Sequence, residues 1–252
     1  MLLHRNIVWL PLCLALLLML AFSGSFGLKA QGHFTIGPRM GIPSGEFAQN
    51  VDRTGFGIGA SGLFPIGGNK SPLLIGGEAQ YMLYGRNTIV RENTFFGLTQ
   101  RYRIATNNNF ASLNAVARLK PNLDRYLVEP YIDGIIGINF FYTNTVITDI
   151  TNQNNNNNND DDNVNNSNTT REKSDNTLCY GGAVGMLIGR GPVRLDLRCI
   201  YMLGGTATYV DAKSVRIDPD ANGGQGEVYF STVTSRTDMF MPVIGVTFMF
   251  GQ

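Results

Sequence analysis

The sequence predicts an all-β fold, an antiparallel up-and-down transmembrane β-barrel of eight strands, with ten strands as the alternative. Apolar residues recur at every second position in eight short stretches, as in strands whose two faces meet different surroundings. The connections after the first, third, fifth and seventh stretches are long, whereas the others are short or moderate. A soluble sandwich explains the alternation equally well, but it gives no reason for this regular change in loop length.

Residues 1–30 precede the barrel and predict a secretory signal peptide, which leaves residues 31–252 as one outer-membrane β-barrel domain. A basic start leads into an apolar run from Ile7 to Phe22, and small residues follow before Ala30, after which cleavage is expected. A retained anchor is the alternative, because the run is near the lower length limit for spanning a bilayer. The remaining chain carries 18 basic and 19 acidic residues and no basic stripe, so nucleic acid is not expected as a partner.

The eight strands are predicted from this two-residue period, and each has one apolar face. In the fifth strand, for example, Ile132, Ile136 and Ile138 share one face, whereas Asp133 and Asn139 share the other. Aromatic residues near strand ends fit the interfacial girdles of a membrane barrel: Phe34, Phe64, Tyr142, Tyr201 and Phe250. The predicted strands are 34–42, 55–66, 73–84, 110–120, 129–142, 178–188, 193–203 and 239–250.

The opposite faces carry glycines and charged residues, which the barrel places inside. An eight-stranded barrel is just wide enough for side chains to fill it. Because an unpaired buried charge costs about 3–5 kcal/mol, these charges are expected to pair with one another or with trapped water, while the glycines leave room for the arginines. The predicted interior charge network consists of Arg39, Glu78, Arg118, Asp133, Arg194, Asp196 and Arg198.

The long connections are predicted to be extracellular loops at 43–54, 85–109, 143–177 and 204–238. Residues 143–177 are rich in asparagine and too polar to bury apolar area, so we expect a disordered loop. Residues 94–104 have a β-like pattern that would extend the neighbouring strands, and residues 206–217 and 227–234 predict an extended hairpin. These stretches leave the choice between eight and ten strands open.

Two prolines and two cysteines bear on how the wall is joined. Pro38 and Pro242 lie in the first and last strands and cannot donate to the ladder, which predicts a bulge or a donor directed away from the seam; a weakened seam that opens sideways is the alternative. If Gly189 lies opposite Pro192, the cysteines are about 10 Å apart along the hairpin. We therefore expect no disulfide between Cys179 and Cys199.

The sequence gives little support for chemistry at a reactive site. His33 is the one histidine after residue 30, and no serine is placed near it, so we predict no catalytic residue and no enzyme. Residues 218–223 begin like a calcium loop, but Tyr229 occupies its twelfth position, where glutamate is required. No metal and no cofactor are predicted.

Several motifs resemble those of the small outer-membrane β-barrel domain families of Bacteroidetes-type bacteria. They are Ala30-Gln31, Gly37-Pro38-Arg39-Met40-Gly41-Ile42-Pro43, Pro130-Tyr131-Ile132-Asp133-Gly134 with Gly137, Leu195-Asp196-Leu197 with Tyr201, and Gly245-Val246-Thr247-Phe248. The resemblance spans most of the mature chain. It implies an eight-stranded barrel of the OmpA/OmpX type, and it implies no activity.

Together these patterns predict a monomer in the cell outer membrane with a structural or surface-interaction role and an interior plugged by side chains. A narrow channel for ions or small solutes is the alternative. Outer-membrane lipid and lipopolysaccharide are the expected surroundings, and a surface partner would meet the loops at 85–109, 143–177 and 204–238.

Overall fold

A computed structural model describes residues 31–51, 53–67, 71–95, 98–121, 126–149, 167–210, 214, 216–218, 227–229 and 231–251. The strands within these ranges are β1 (Gly32–Pro43), β2 (Gly55–Pro65), β3 (Leu73–Phe95), β4 (Leu98–Leu119), β5 (Val128–Asp149), β6 (Ser167–Ile188), β7 (Val193–Gly204), β8 (Thr206–Val210), β9 (Arg216–Asp218), β10 (Glu227–Tyr229), β11 (Thr232–Arg236) and β12 (Met239–Phe250). One short helix, α1 (Gly45–Asn50), follows β1. None of the helical structure described in these ranges is long and apolar enough to cross a bilayer.

Eight of the strands form a closed antiparallel barrel in the order β1-β12-β7-β6-β5-β4-β3-β2. The predicted all-β barrel of eight strands is therefore confirmed. The ten-stranded alternative is wrong, because the polar stretches that prompted it do not enter the wall. Residues 94–104 lengthen β3 and β4. The predicted extended hairpin is confirmed: β8 pairs with β11 and, further along the same excursion, β9 pairs with β10, outside the barrel sheet.

Four neighbouring strands, β3 to β6, are 22 or 23 residues long, whereas β1, β2, β7 and β12 have 11 or 12 residues. The predicted loop at 85–109 is wrong as a loop, because pairing continues to Phe95 and Leu98. The prediction that 143–177 are disordered is also wrong for 143–149, which lie in β5, and for 167–177, which lie in β6. Residues 150–166 lie outside the described residues. Threonines and β-branched apolar residues favour strand here. Pairing of 143–149 with β4, and of 167–177 with β5, satisfies their backbone groups without an apolar core.

The other rim carries the shorter connections and both ends of the barrel chain, where Gly32 pairs with Phe250. In the turn between β6 and β7, Gly189 and Gly191 have positive φ angles of 133° and 87°. Ile188 pairs with Leu195, so the predicted hairpin register is wrong by two residues. The absence of a disulfide is confirmed for a different reason: Cys179 is buried inside the barrel and Cys199 lies on its exposed outer face.

The seam between β1 and β12 keeps one register from Gly32 and Phe250 to Pro43 and Met239. The predicted bulge is therefore wrong, because the strands stay aligned on both sides of the prolines. A Cβ at Gly37 would lie 2.2 Å from the carbonyl oxygen of Ile244, so this close approach of the strands requires glycine. The unbroken register favours a closed seam over sideways opening.

Candidate functional site

The outer face of the barrel is a continuous apolar band. Most outward side chains are apolar and exposed, and many of them are large; Ile136 on β5, for example, is 63% exposed. Phe64, Tyr201 and Phe250 are exposed near strand ends, as predicted for aromatic girdles, whereas Phe34 and Tyr142 are half-buried. A closed barrel with an apolar exterior and a polar interior is the architecture of outer-membrane barrels. The chain is thus an outer-membrane β-barrel.

Replacing Ile136 by arginine is expected to lower the free energy of unfolding by about 2–4 kcal/mol, because the charge would lie near the middle of the bilayer. The matched control is Val193→Arg beside the short β6–β7 turn, which should cost about 0–1 kcal/mol. Urea unfolding in lipid vesicles, followed by circular dichroism, measures both. Equal losses at the two positions would show that the apolar band does not cross the membrane.

The structure places all seven residues of the predicted charge network inside the barrel, where each is buried. At the centre, the Arg118 guanidinium donates two hydrogen bonds to the Asp133 carboxylate, at 2.8 and 3.0 Å. Arg118 has 0% of its surface exposed and stacks on the Tyr131 ring, 3.6 Å from the ring centroid. Its Nη1 lies 3.7 Å from Asp196, which also accepts a hydrogen bond from the Tyr131 hydroxyl. The pair is geometrically well matched and screened from water.

Glu78 joins two further arginines to this centre. Its carboxylate lies 2.9 Å from Arg39 and also pairs with Arg198, and Arg198 lies 2.8 Å from Asp133. Arg39 reaches β3 by passing over β2 at Gly59, where an added Cβ would lie 2.2 Å from the Arg39 Nε. Glycine at this position therefore leaves room for the arginine, as the sequence predicts.

The seventh predicted residue, Arg194, lies near the rim with the short turns and pairs with a different acid. Its Nη1 is 2.5 Å from Glu129, which also lies 3.2 Å from the Lys120 ammonium. Sequence reasoning missed Lys120, Glu129 and Tyr131 as members of the network. The two-residue period could have found them, since each continues the inward register of Arg118 or Asp133.

An aromatic plug lies above the charge network, on the side of the long connections. Its residues are Phe47, Tyr84, Phe110, Phe141 and Tyr209. Phe47 from α1 is 0% exposed, and its ring centroid lies 5.4 to 5.9 Å from those of Tyr84, Phe141 and Tyr209. Phe141 also contacts Phe110 at 5.2 Å. The plug closes the barrel mouth with large rings.

The helix α1 is held in the mouth by hydrogen bonds to the end of β11 and to the β11–β12 connection. The Ser44 N–H donates to the Asp238 carbonyl at 2.9 Å, and the Arg236 N–H donates to Glu46 at 3.1 Å. The sequence predicts only a loop at 43–54, and six helical residues are too few to show a helical period. The sequence signal for a buried contact in this stretch is Phe47, an aromatic residue among mostly polar neighbours.

In the part of the chain that the structure describes, no three His, Cys, Asp or Glu side chains are placed so that they could hold one metal ion together. Most of the calcium-like stretch at 218–223 lies outside the described residues.

No protein-family description and no curated protein matches the chain. Among solved structures, similarity is found to the attachment invasion locus protein Ail of Yersinia pestis, solved with the heparin analogue sucrose octasulfate, at 10% identity and a TM-score of 0.42, covering 88% of this chain and 99% of that one. Neisserial surface protein A is 10% identical with a TM-score of 0.42, covering 87% of this chain and 96% of that one. A major outer membrane protein of Thermus thermophilus is 14% identical with a TM-score of 0.46, covering 87% and 99%.

Proposed function

We propose that this outer-membrane barrel is a filled, non-conducting support that holds an extracellular β-sheet for contact with a surface partner. The observation that carries the proposal is the length of β3 to β6, which continue past the barrel wall as one sheet of four adjacent strands. The barrel supplies a rigid base for that sheet. We propose that it acts as a monomer and has no enzymatic activity.

The filled interior supports the first half of this proposal. A path along the barrel axis would have to pass the aromatic plug and then the buried ion pairs around Arg118 and Glu78. In planar lipid bilayers the protein is expected to produce no steady current steps. Steady openings of the wild-type protein would overturn the filled interior and favour the alternative, a narrow channel.

The protruding sheet supports the second half. Within the described residues, β2 pairs with β3 only as far as Leu83, and Arg53 Nη1 donates to the Arg86 carbonyl at 2.7 Å. Beyond Arg86, the edge of β3 offers backbone donors and acceptors to another strand. On the opposite side, β8 approaches β6, and the Thr208 N–H donates to Asp175 at 2.7 Å. The edge of β3 is therefore the more open of the two.

The charge of the β3–β4 hairpin indicates the kind of partner. Residues 85–109 contain four arginines and one glutamate, and the side chains of Arg86 and Arg103 are exposed. A basic surface beyond the bilayer attracts anionic polymers, among them the phosphorylated and sugar-rich part of lipopolysaccharide. We therefore propose an anionic surface polysaccharide as the partner class.

Retention on immobilised dextran sulfate, compared with neutral dextran, tests this proposal. Wild-type protein in detergent is expected to be retained on dextran sulfate alone, and the retention should fall with salt because it is electrostatic. The double variant Arg86→Gln, Arg103→Gln should elute at lower salt than the wild type. Arg190→Gln, which removes an exposed arginine at the opposite rim, is the matched control. If the control and the double variant elute alike, the hairpin is not the binding surface.

A further inference from the structure

We propose that a groove in the outer wall, at the rim with the short turns, holds an anionic phospholipid of the membrane leaflet on that side. We call it the rim groove, and its lining includes Pro72, Leu119, Lys120, Pro121, Pro130 and Ile132. Because short turns mark the periplasmic rim of an outer-membrane barrel, the lipid belongs to the periplasmic leaflet. The inference concerns the wall and does not depend on the surface partner proposed above.

The rim groove lies where β4 ends and β5 begins. Leu119 and Ile132 are cross-strand partners on the lipid-facing side, and they are 49% and 55% exposed. The Lys120 N–H donates to the Pro72 carbonyl at 2.8 Å, which joins the end of β4 to the residue before β3. The groove therefore lies at the edge of the apolar band, where acyl chains meet headgroups.

The shape and lining of the groove suit a hydrocarbon chain. Its volume is about 480 Å³, within the range of about 300–1,000 Å³ that is typical of small-ligand sites. Three of the lining residues are prolines, which have no N–H to donate and a fixed φ angle. Such a wall is rigid before the ligand arrives, so little order has to be gained on binding.

Lys120 gives this apolar groove a positive charge. It belongs to an ion group with Glu129 and Arg194, in which one carboxylate faces two cations. The side chains of Glu129 and Arg194 are 0% and 3% exposed, whereas that of Lys120 is 10% exposed. Within the described residues, the surplus charge of this group therefore reaches the surface mainly through Lys120, the member that lines the groove. A lysine stem can lie along apolar surface while its ammonium stays in the polar layer.

An anionic phospholipid matches both the apolar wall and the surplus charge. Its acyl chain fits the wall, and its phosphate supplies the negative charge that the ion group lacks. A zwitterionic phospholipid carries a cation beside its phosphate, which weakens the attraction to Lys120. A free phosphate compound has no chain with which to occupy the groove.

Retention of lipids by the protein, purified in detergent and measured by native mass spectrometry, tests the charge. The probes are phosphatidylglycerol, which is anionic, and phosphatidylcholine, which is zwitterionic, with the same acyl chains. We expect phosphatidylglycerol to be retained about fivefold more strongly, the effect of one basic side chain near an anionic lipid. Lys120→Gln should abolish this preference, and it leaves Glu129 paired with Arg194. The control Arg190→Gln, which removes an exposed arginine at the same rim, should keep the preference.

Two results of this measurement would overturn the proposal. The first is equal retention of the two lipids by the wild-type protein. The second is a preference that survives in Lys120→Gln or is lost equally in Arg190→Gln.

A second pair of variants tests the groove itself. Ile132→Ala removes part of the groove wall and should lower the retention of both lipids. The control Ile136→Ala removes the same side chain from the same face of β5, away from the lining residues, and should leave retention unchanged. Both isoleucines are exposed, so this pair decides even if Lys120→Gln does not fold. Equal effects of the two substitutions would contradict the groove.

Glycerol phosphate distinguishes a lipid from a free anion, because it carries the phosphate without an acyl chain. We expect it to be retained far less than phosphatidylglycerol at the same concentration. Equal retention of the two would show that the site binds a soluble anion, and the lipid proposal would be wrong.

Discussion

Replacing Asp133 by asparagine is expected to lower the free energy of unfolding by about 3–5 kcal/mol, the cost of breaking a buried ion pair from one side. The Asp133 carboxylate accepts both hydrogen bonds of Arg118 and also pairs with Arg198 at 2.8 Å. An amide of the same shape can accept at one atom only and carries no charge. Arg118, which has 0% exposure, would then remain buried with only the more distant Asp196 carboxylate, 3.7 Å away, to balance it. Urea unfolding in lipid vesicles, followed by circular dichroism, measures the loss.

A second substitution separates the ion pair from a simple packing defect. Adding Arg118→Met to Asp133→Asn removes the uncompensated charge, so the double variant should regain part of the lost stability. Arg190→Met, at an exposed position in the β6–β7 turn, is the control for the loss of an arginine and should change stability by less than about 0.5 kcal/mol. A double variant as unstable as the sum of its single changes would show that the two residues are not coupled.

Replacing Phe47 by alanine is expected to cost about 3–5 kcal/mol, because a fully buried ring is removed and a cavity remains. Phe47 is the member of the plug contributed by α1, and it contacts three other rings. Loss of this contact should release α1 from the mouth. Thermal unfolding in detergent measures the stability, and hydrogen exchange at residues 45–50 measures the release of the helix.

The matched control is Phe56→Ala, which removes the same ring from the outer face, where Phe56 is 61% exposed. That position faces lipid or detergent, which fills the space left by the ring, so the loss should be clearly smaller than at Phe47. Unchanged hydrogen exchange in Phe47→Ala would mean that the hydrogen bonds of the Ser44 N–H and the Glu46 carboxylate hold α1 without its aromatic anchor.

The barrel wall was predictable from sequence because every wall residue faces either lipid or the interior. This constraint produces a two-residue period in the wall part of all eight strands. From that period, Arg118, Asp133 and the other five residues of the predicted charge network could be recognised as inward-facing. The extensions of β3 to β6 lie beyond the lipid-facing wall, and of these extensions only residues 94–104 have a β-like pattern in the sequence. Position 147, for example, belongs to a strand through its pairing with Ile104 on β4 and Asn168 on β6.

Contacts across the barrel were not predictable, because they depend on the diameter and stagger of the closed wall. The pairing of Glu78 with Arg198 joins β3 to β7, which are not neighbours in the sheet. The position of Phe47 similarly depends on how the first connection folds back over the mouth. Both are products of tertiary structure, and no local pattern in the sequence specifies them.

The seam has a consequence for the order of assembly. Every other neighbouring pair in the wall joins two wall strands that follow one another along the chain. The pair β1 and β12 instead joins the first wall strand to the last. Contacts between distant parts of a chain form late, because the intervening loop must first be closed at an entropic cost. One edge of β1 therefore stays unpaired until β12 has formed. We expect the pairing of these two strands to be the final, rate-limiting step of folding.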